Sequence, residues 1–251
     1  MLVSVVIIAK NEAGNIAACI KSARLLSNDI IVVDSGSKDD TQEIAARAKA
    51  AVHFIEWQGY GHARNAGAAL AKHEWIFALD ADERISKKLA DTVKKIDTPE
   101  AKVIYGCRRR NYLGTTLLRF GEWGSDTTYR IYNKNFAEWD YAMVHESLCA
   151  DGNEKEILPG FLEHYTIKNL SEFRIKLQQY AQLQALHFFE HGKKANFFKR
   201  FLSPAAGFIS GYIFKLGFLD GYTGLQVAKM NAYYTWLKYN LLHKMYKPQN
   251  S

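Results

Sequence analysis

Along the first third of the chain, wholly apolar runs of strand length alternate with segments of helical spacing. Leu2 to Ala9 is one such run, and Gly14 to Leu26 then carries Ile16, Ile20, Ala23 and Leu26 at helical intervals. Ile30 to Val33 repeats the strand pattern and ends in Asp34 and the polar turn Ser35-Gly36-Ser37-Lys38, where Ser37 or Asp39 is placed to cap a helix over Thr41 to Lys49. Val52 to Ile55 is short and extended, and His62 to Lys72 is helical. Trp75 to Leu79 is another apolar run, which stops abruptly at Asp80-Ala81-Asp82-Glu83. Runs that are apolar on both faces suit parallel strands covered by helices, so the alternation predicts βαβ units in an α/β sheet. Right-handed crossovers then bring Asp34 and Asp80 to one sheet edge, the edge where open α/β sheets bind ligands.

Beyond this region the texture changes. Ser86 is placed to cap a helix from Lys87 to Ile96, and Thr98-Pro99 breaks the chain. Val103 to Tyr105, Tyr129 to Tyr132 and Ile157 to His164 read as strands separated by Gly, Asn and Asp turns. Helix returns at Ser171, a predicted cap, and runs through Phe173, Leu177, Tyr180, Leu183 and Leu186 towards Gly192. Asn196 to Tyr246 is aromatic and basic, with glycine breaks, and predicts two or more helices. The organisation expected is a sheet domain over residues 1–168, in halves of about 1–100 and 101–168, followed by a helical extension over 169–251.

Composition narrows the class. At 48% hydrophobic and 13% aromatic, the 251-residue chain is not disordered, and its length suits one α/β domain with an appendage. Cys19, Cys107 and Cys149 are odd in number and widely spaced, which predicts neither a disulfide framework nor structural zinc, and suits a reducing compartment. The apolar start lacks a preceding basic region and a cleavage site, so a strand is expected there and not a signal peptide. Phe201 to Phe214 is too short to span a bilayer. The net charge of +7 is concentrated in the tail: from His191 onward nine Lys/Arg face one acid, Asp220. Such a segment predicts an anionic surface as its neighbour, lipid or nucleic acid.

Two motifs bear on chemistry. If the backbone stays extended through Ala81, Asp80 and Asp82 project to one side, where their repulsion is relieved by a hard divalent cation that also binds diphosphate; the plain alternative is a solvated strand end. Gly59-Tyr60-Gly61-His62-Ala63-Arg64 begins like the dinucleotide fingerprint, but arginine replaces the third glycine and the motif follows the third strand, which argues against a dehydrogenase.

Val5-Val6-Ile7-Ile8-Ala9-Lys10-Asn11-Glu12, Ile31-Val32-Val33-Asp34-Ser35-Gly36-Ser37-Lys38-Asp39, Ala63-Arg64-Asn65-Ala66-Gly67 and Leu79-Asp80-Ala81-Asp82-Glu83, in that order, resemble the signature of family 2 inverting glycosyltransferases with the GT-A fold. Ser125-Asp126 to Arg130, and Val144-His145-Glu146 to His164-Tyr165-Thr166, resemble the subgroup that adds sugars, often glucose, to the inner core of lipopolysaccharide. The resemblance implies a GT-A, Rossmann-like sheet with a C-terminal helical extension. It implies that Asn11, Glu12 and Asp34 border the nucleotide, that Arg64 and Asp80 serve the diphosphate, and that Mg²⁺ or Mn²⁺ is held by Asp80 and Asp82, with His145 and His164 as further candidates. For an inverting transfer the base candidates are Glu146, placed first, and Asp126. Trp123, Arg130 and Arg109 are candidate acceptor contacts, Trp123 and Trp139 by stacking on sugar faces and Arg109 within an arginine triplet that suits an acidic acceptor.

The basic, aromatic tail reads as a monotopic contact with anionic lipid; helical packing or a dimer contact is the alternative. The expectation is an enzyme peripheral to the inner face of the cytoplasmic membrane, moving glucose from UDP-glucose to a lipid-linked oligosaccharide. A polyprenyl-phosphate or capsule-sugar acceptor is the near alternative, and a non-catalytic sugar- or nucleic-acid-binding protein the distant one.

Overall fold

The computed structural model describes residues 1–124, 126–140, 146–149 and 154–246. The chain divides into two compact units, Met1–Arg109 with Asp126–His164, and Arg110–Ser125 with Tyr165–Ser251. The boundary expected after residue 168 thus falls at His164/Tyr165, and Arg110–Ser125, expected in the sheet domain, groups with the helices.

In the first unit, β1 (Val3–Ala9), α1 (Ile16–Ala23), β2 (Ile30–Asp34), α2 (Thr41–Arg47), β3 (Ala51–Phe54), α3 (Tyr60–Leu70) and β4 (Trp75–Asp80) realise the predicted alternation. They are followed by β5 (Glu83–Ile85), α4 (Lys87–Lys94), β6 (Val103–Leu113), β8 (Asp126–Asn133), β9 (Glu138–Trp139), β10 (Leu148–Cys149) and β11 (Glu154–Ile167), while β7 (Thr116–Leu117) lies within the Arg110–Ser125 stretch of the second unit. Strand order is β3-β2-β1-β4-β8-β6-β11-β5. The first four strands are mutually parallel, and β8 joins β4 antiparallel, so the sheet changes character at the strand that carries Asp80.

Register places the chemistry. Ala9 lies opposite Asp34 and Ile8 opposite Asp80, so the two acids flank the end of β1. Both faces of that strand are buried. Val5 and Ile7 pack with Val32, Phe77 and Leu79 under Ile16 and Ile20 of α1 and Leu89 of α4, while Val6, Ile31, Val33 and Ile76 pack under Ala63 and Ala68 of α3. Each such aliphatic side chain contributes about 1.5–3 kcal/mol on burial. A Cβ on Gly67 would sit 2.4 Å from Val6 and 2.8 Å from Val33, so this glycine sets the distance of α3 from the sheet. The glycines of the false fingerprint have a packing role too. Gly59 takes a φ of 113°, and a Cβ on Gly61 would lie 1.8 Å from the Asp140 carbonyl.

The second unit contains α5 (Leu170–Glu190), α6 (Phe197–Ile209) and α7 (Gly221–Met245). The cap of α5 is Asn169, whose side chain accepts from Glu172 N at 2.9 Å, and not Ser171: residue 169 is the one in extended conformation. Phe173 and Leu177 pack with Leu113, Leu118, Ile167 and Val227. After α6 the chain passes through a π-turn and a 3₁₀ turn, and the Asp220 carboxylate accepts from Arg119 N and Phe120 N at 2.9–3.1 Å. Among the described residues no single helix is long and apolar enough to cross a membrane; Phe197–Phe214 and Gly217–Met245, bent by 72°, meet that criterion only together.

Candidate active site

The loops after β1 and β2 are laced together. Asn11 N donates to Ser37 Oγ and Lys38 N to Asn11 Oδ1, both at 2.8 Å, while Glu12 N donates to Thr41 Oγ1 at 2.8 Å and Ala13 N to Asp39 Oδ2 at 3.1 Å. Asn11 itself adopts a φ of 57°, a conformation asparagine tolerates. Asp34 is fully buried: its carboxylate accepts from Gly36 N, Ser37 N, the Ser37 hydroxyl and Gln42 Nε2. Asp34, expected to border the nucleotide, also shapes the turn that faces Asn11.

At the end of β4, carboxylates and guanidiniums alternate. Arg64 of α3 donates to Asp80 Oδ1 at 2.7 Å and Arg130 of β8 to Asp80 Oδ2 at 2.8 Å. Arg130 reaches on to Glu83 at 3.5 Å, Arg109 of β6 joins Glu83 at 3.3 Å, and Arg109 Nε joins Asp126 at 2.7 Å. Arg64 also meets Glu146 at 3.2 Å. Glu83, wholly buried, additionally accepts from Asp80 N at 3.0 Å. Burial would raise the Asp80 carboxyl, but Arg130 and Arg64, then His164 and Arg109, hold it well below the usual carboxylate range. Burial likewise opposes the Arg130 charge, and Asp80 and Glu83 more than restore it. The Trp139 indole is 4% exposed, with the Arg64 guanidinium 4.7 Å from its centroid and its N–H donating to the Tyr132 hydroxyl at 3.1 Å.

Several expectations change. Ala81 and Asp82 form a turn between β4 and β5, so the two aspartates are not consecutive same-side positions of one strand. Asp80 has both oxygens engaged by arginine, while Asp82 Oδ2 lies 3.5 Å from His164 Nε2. The antiparallel pairing of β11 with β5, His164 opposite Glu83, delivers that histidine. Burial would lower the His164 imidazole, but Asp82 and Glu83 raise it. A carboxylate oxygen and an imidazole nitrogen at this separation fit one divalent cation. Among the described residues no third His, Cys, Asp or Glu joins them. His145 lies outside the described residues.

The expected acceptor contacts separate. Trp123 is half-buried against the second unit's core, 5.2 Å from Phe173, whereas Trp139, 4% exposed beneath Arg64, lines the cleft next to Glu146. Arg130, 7% exposed, lines the same cleft as Trp139, and with Arg109 it is ion-paired with Asp80, Glu83 and Asp126. Glu146 lines a cleft of about 260 Å³ together with Thr127, Thr128, Tyr129, Ser147 and Lys155. Glu83, the buried link between Arg109 and Arg130, and the cleft residues Tyr129 and Lys155 carry no signal in the sequence that singles them out.

The family model described as glycosyl transferase family 2 matches residues 4–154, a span that holds these loops and the acid–arginine cluster but not His164. The chain belongs to glycosyl transferase family 2. As a family member it is a glycosyltransferase with the mixed α/β sheet and C-terminal helices expected of a GT-A enzyme. A lipopolysaccharide core biosynthesis glycosyltransferase of Rhizobium meliloti, LpsC, is 27% identical over 93% of this chain and 89% of its own length. An uncharacterised glycosyltransferase of Rickettsia prowazekii is 27% identical over 94% of this chain and 85% of its own. Among solved structures, S. aureus TarS 1-349 in complex with UDP-GlcNAc is similar over 98% of this chain and 91% of that chain, at 15% identity and a TM-score of 0.49.

Proposed function

We propose that this family 2 enzyme transfers glucose from UDP-glucose, with inversion, to the inner core of lipopolysaccharide or its lipid-linked precursor, and that Glu146 is the base. The observation that carries the reading is Arg64, which joins Glu146 at 3.2 Å and Asp80 at 2.7 Å, so that one guanidinium links the acceptor cleft to the acid at the sheet edge. Glu146 lines the cleft and accepts the proton of the attacking hydroxyl. Asp126, register partner of Arg109, is a positioning residue that holds Arg109 against Glu83. The diphosphate lies over the laced loops, with Asp82 and His164 holding Mn²⁺ or Mg²⁺. When bound, the ion neutralises charge on the departing diphosphate. The similarity to LpsC supports the acceptor class.

Membrane contact belongs to the second unit. Phe197, Phe198, Leu202, Ile213, Phe214 and Tyr222 are each at least 50% exposed, beside Lys199 and Arg200. Lys215 is paired with Glu122 at 2.8 Å and contributes less charge. Apolar insertion flanked by cations suits a monotopic seat on anionic lipid.

Diphosphate release from a panel of nucleotide sugars with Mn²⁺, with and without purified core acceptor, tests the reading. Acceptor-dependent turnover of UDP-glucose is expected. Turnover of another nucleotide sugar alone, or none with an authentic core acceptor, overturns it.

A further inference from the structure

We propose that the cleft beside Glu146 is a subsite for a pyranose that carries an anionic substituent, a carboxylate or a phosphate, seated on Tyr129 and held by Lys155. The proposal rests on the glycosyltransferase reading only for its direction, with Glu146 marking the end at which the reacting hydroxyl lies.

The floor is built by strand register. Tyr129 of β8 lies opposite Gly106 of β6, and a Cβ on Gly106 would approach the Tyr129 ring to 2.7 Å. The missing side chain lets the aromatic ring lie across the neighbouring strand. Lys155 of β11 brings its ammonium to 5.0 Å from the ring centroid. Thr127 and Ser147 add hydroxyl-bearing side chains to the lining of the same cleft, which has about 260 Å³ of space. An aromatic face for ring C–H groups and hydroxyls that both donate and accept are what a pyranose requires.

Charge selects which pyranose. Glu146 is the one acid among the described residues lining the cleft, and Arg64 already compensates it. Lys155 has no carboxylate within 4 Å among the described residues, and the adjacent Glu154 and Glu156 alternate to the other face of β11. Arg108, exposed and likewise without a carboxylate partner, lies opposite Thr127 and so on the cleft side of β6. Arg64, Arg109 and Arg130 are ion-paired with Asp80, Glu83, Asp126 and Glu146, whereas among the described residues Lys155 and Arg108 have no such pair, and a bound anion supplies what they lack.

Ligand-observed NMR titration of the full chain with glucose, glucuronic acid and glucose 6-phosphate separates the outcomes without relying on turnover. One or both anionic sugars should bind about fivefold more tightly than glucose, the gain of one exposed charge pair, and the better of the two identifies the substituent. Lys155→Glu and Lys155→Gln should each remove the preference while glucose still binds, Tyr129→Ala should weaken all three, and Lys193→Glu in the helical unit should change nothing. Equal binding of the three sugars, or a preference that survives both Lys155 substitutions, overturns the proposal. Failure of the glycosyltransferase reading shows separately, as absence of sugar transfer by the wild type.

Discussion

A carboxylate with each oxygen already accepting from a guanidinium, as Asp80 is, has little left for a cation; Asp82, two residues on, faces an imidazole instead. Metal affinity should follow that division. Asp82→Ala and His164→Ala are expected to weaken Mn²⁺ binding in the presence of UDP by about tenfold or more, measured by calorimetry. Unchanged affinity in both would remove the metal from this pair. The acids were legible in the sequence because they end an apolar run, yet their division of labour was not. It depends on Arg64, Arg130 and His164, brought from α3, β8 and β11 by pairings far apart in sequence. Asp34 illustrates the converse. Its neighbours Ser35-Gly36-Ser37 are a turn sequence, and a short carboxylate before such a turn bonds its own backbone, a local role that stands beside the nucleotide contact the family resemblance implies. Glu83 looked like a third acid in a row, and only its burial between Arg109 and Arg130 distinguishes it.

Helix α3 owes its place to glycine. Gly67→Ala puts a methyl group into Val6 and Val33, and should cost about 1–3 kcal/mol in denaturant unfolding. An unchanged midpoint would mean that α3 stands off further than the structure places it. Strands β1, β2 and β4 were readable because, buried on both faces, they are apolar runs broken only by Ser4 in β1 and by the aspartates that end β2 and β4. β6, β8 and β11 extend beyond their predicted ends, because polar residues such as Arg108, Asp126 and Lys155 pair in the ladder without an apolar signature. Helix α6 presents its aromatic residues outward, with Phe197 65% and Phe198 63% exposed. Replacing both by Asp should lower partition onto anionic vesicles by at least tenfold, since burying one such ring contributes about 1.5–3 kcal/mol. Equal partition of the variant would end the membrane assignment.

For the molecule as a whole, the basic tail and balanced body seen in the sequence correspond to two compact units: one holds the acid–arginine cluster and the cleft, the other the exposed aromatics. The family was readable from four ordered motifs in the first third, because the residues at the ends of β1, β2 and β4 and in α3 form short contiguous stretches within the span the family model matches. The division at 168/169 was less accurate, since Arg110–Ser125 joins the helices through contacts such as Asp220 with Arg119 N, and no composition shift marks it. The central claim joins donor and acceptor chemistry through Arg64, with Glu146 as the group that takes the proton. Its most direct test is Glu146→Gln, assayed for UDP-glucose binding and for sugar transfer to a core acceptor in the same preparation. Donor affinity within about twofold of wild type with transfer reduced by about 10²–10⁴-fold is the predicted result. Retained transfer with an intact donor site would contradict it.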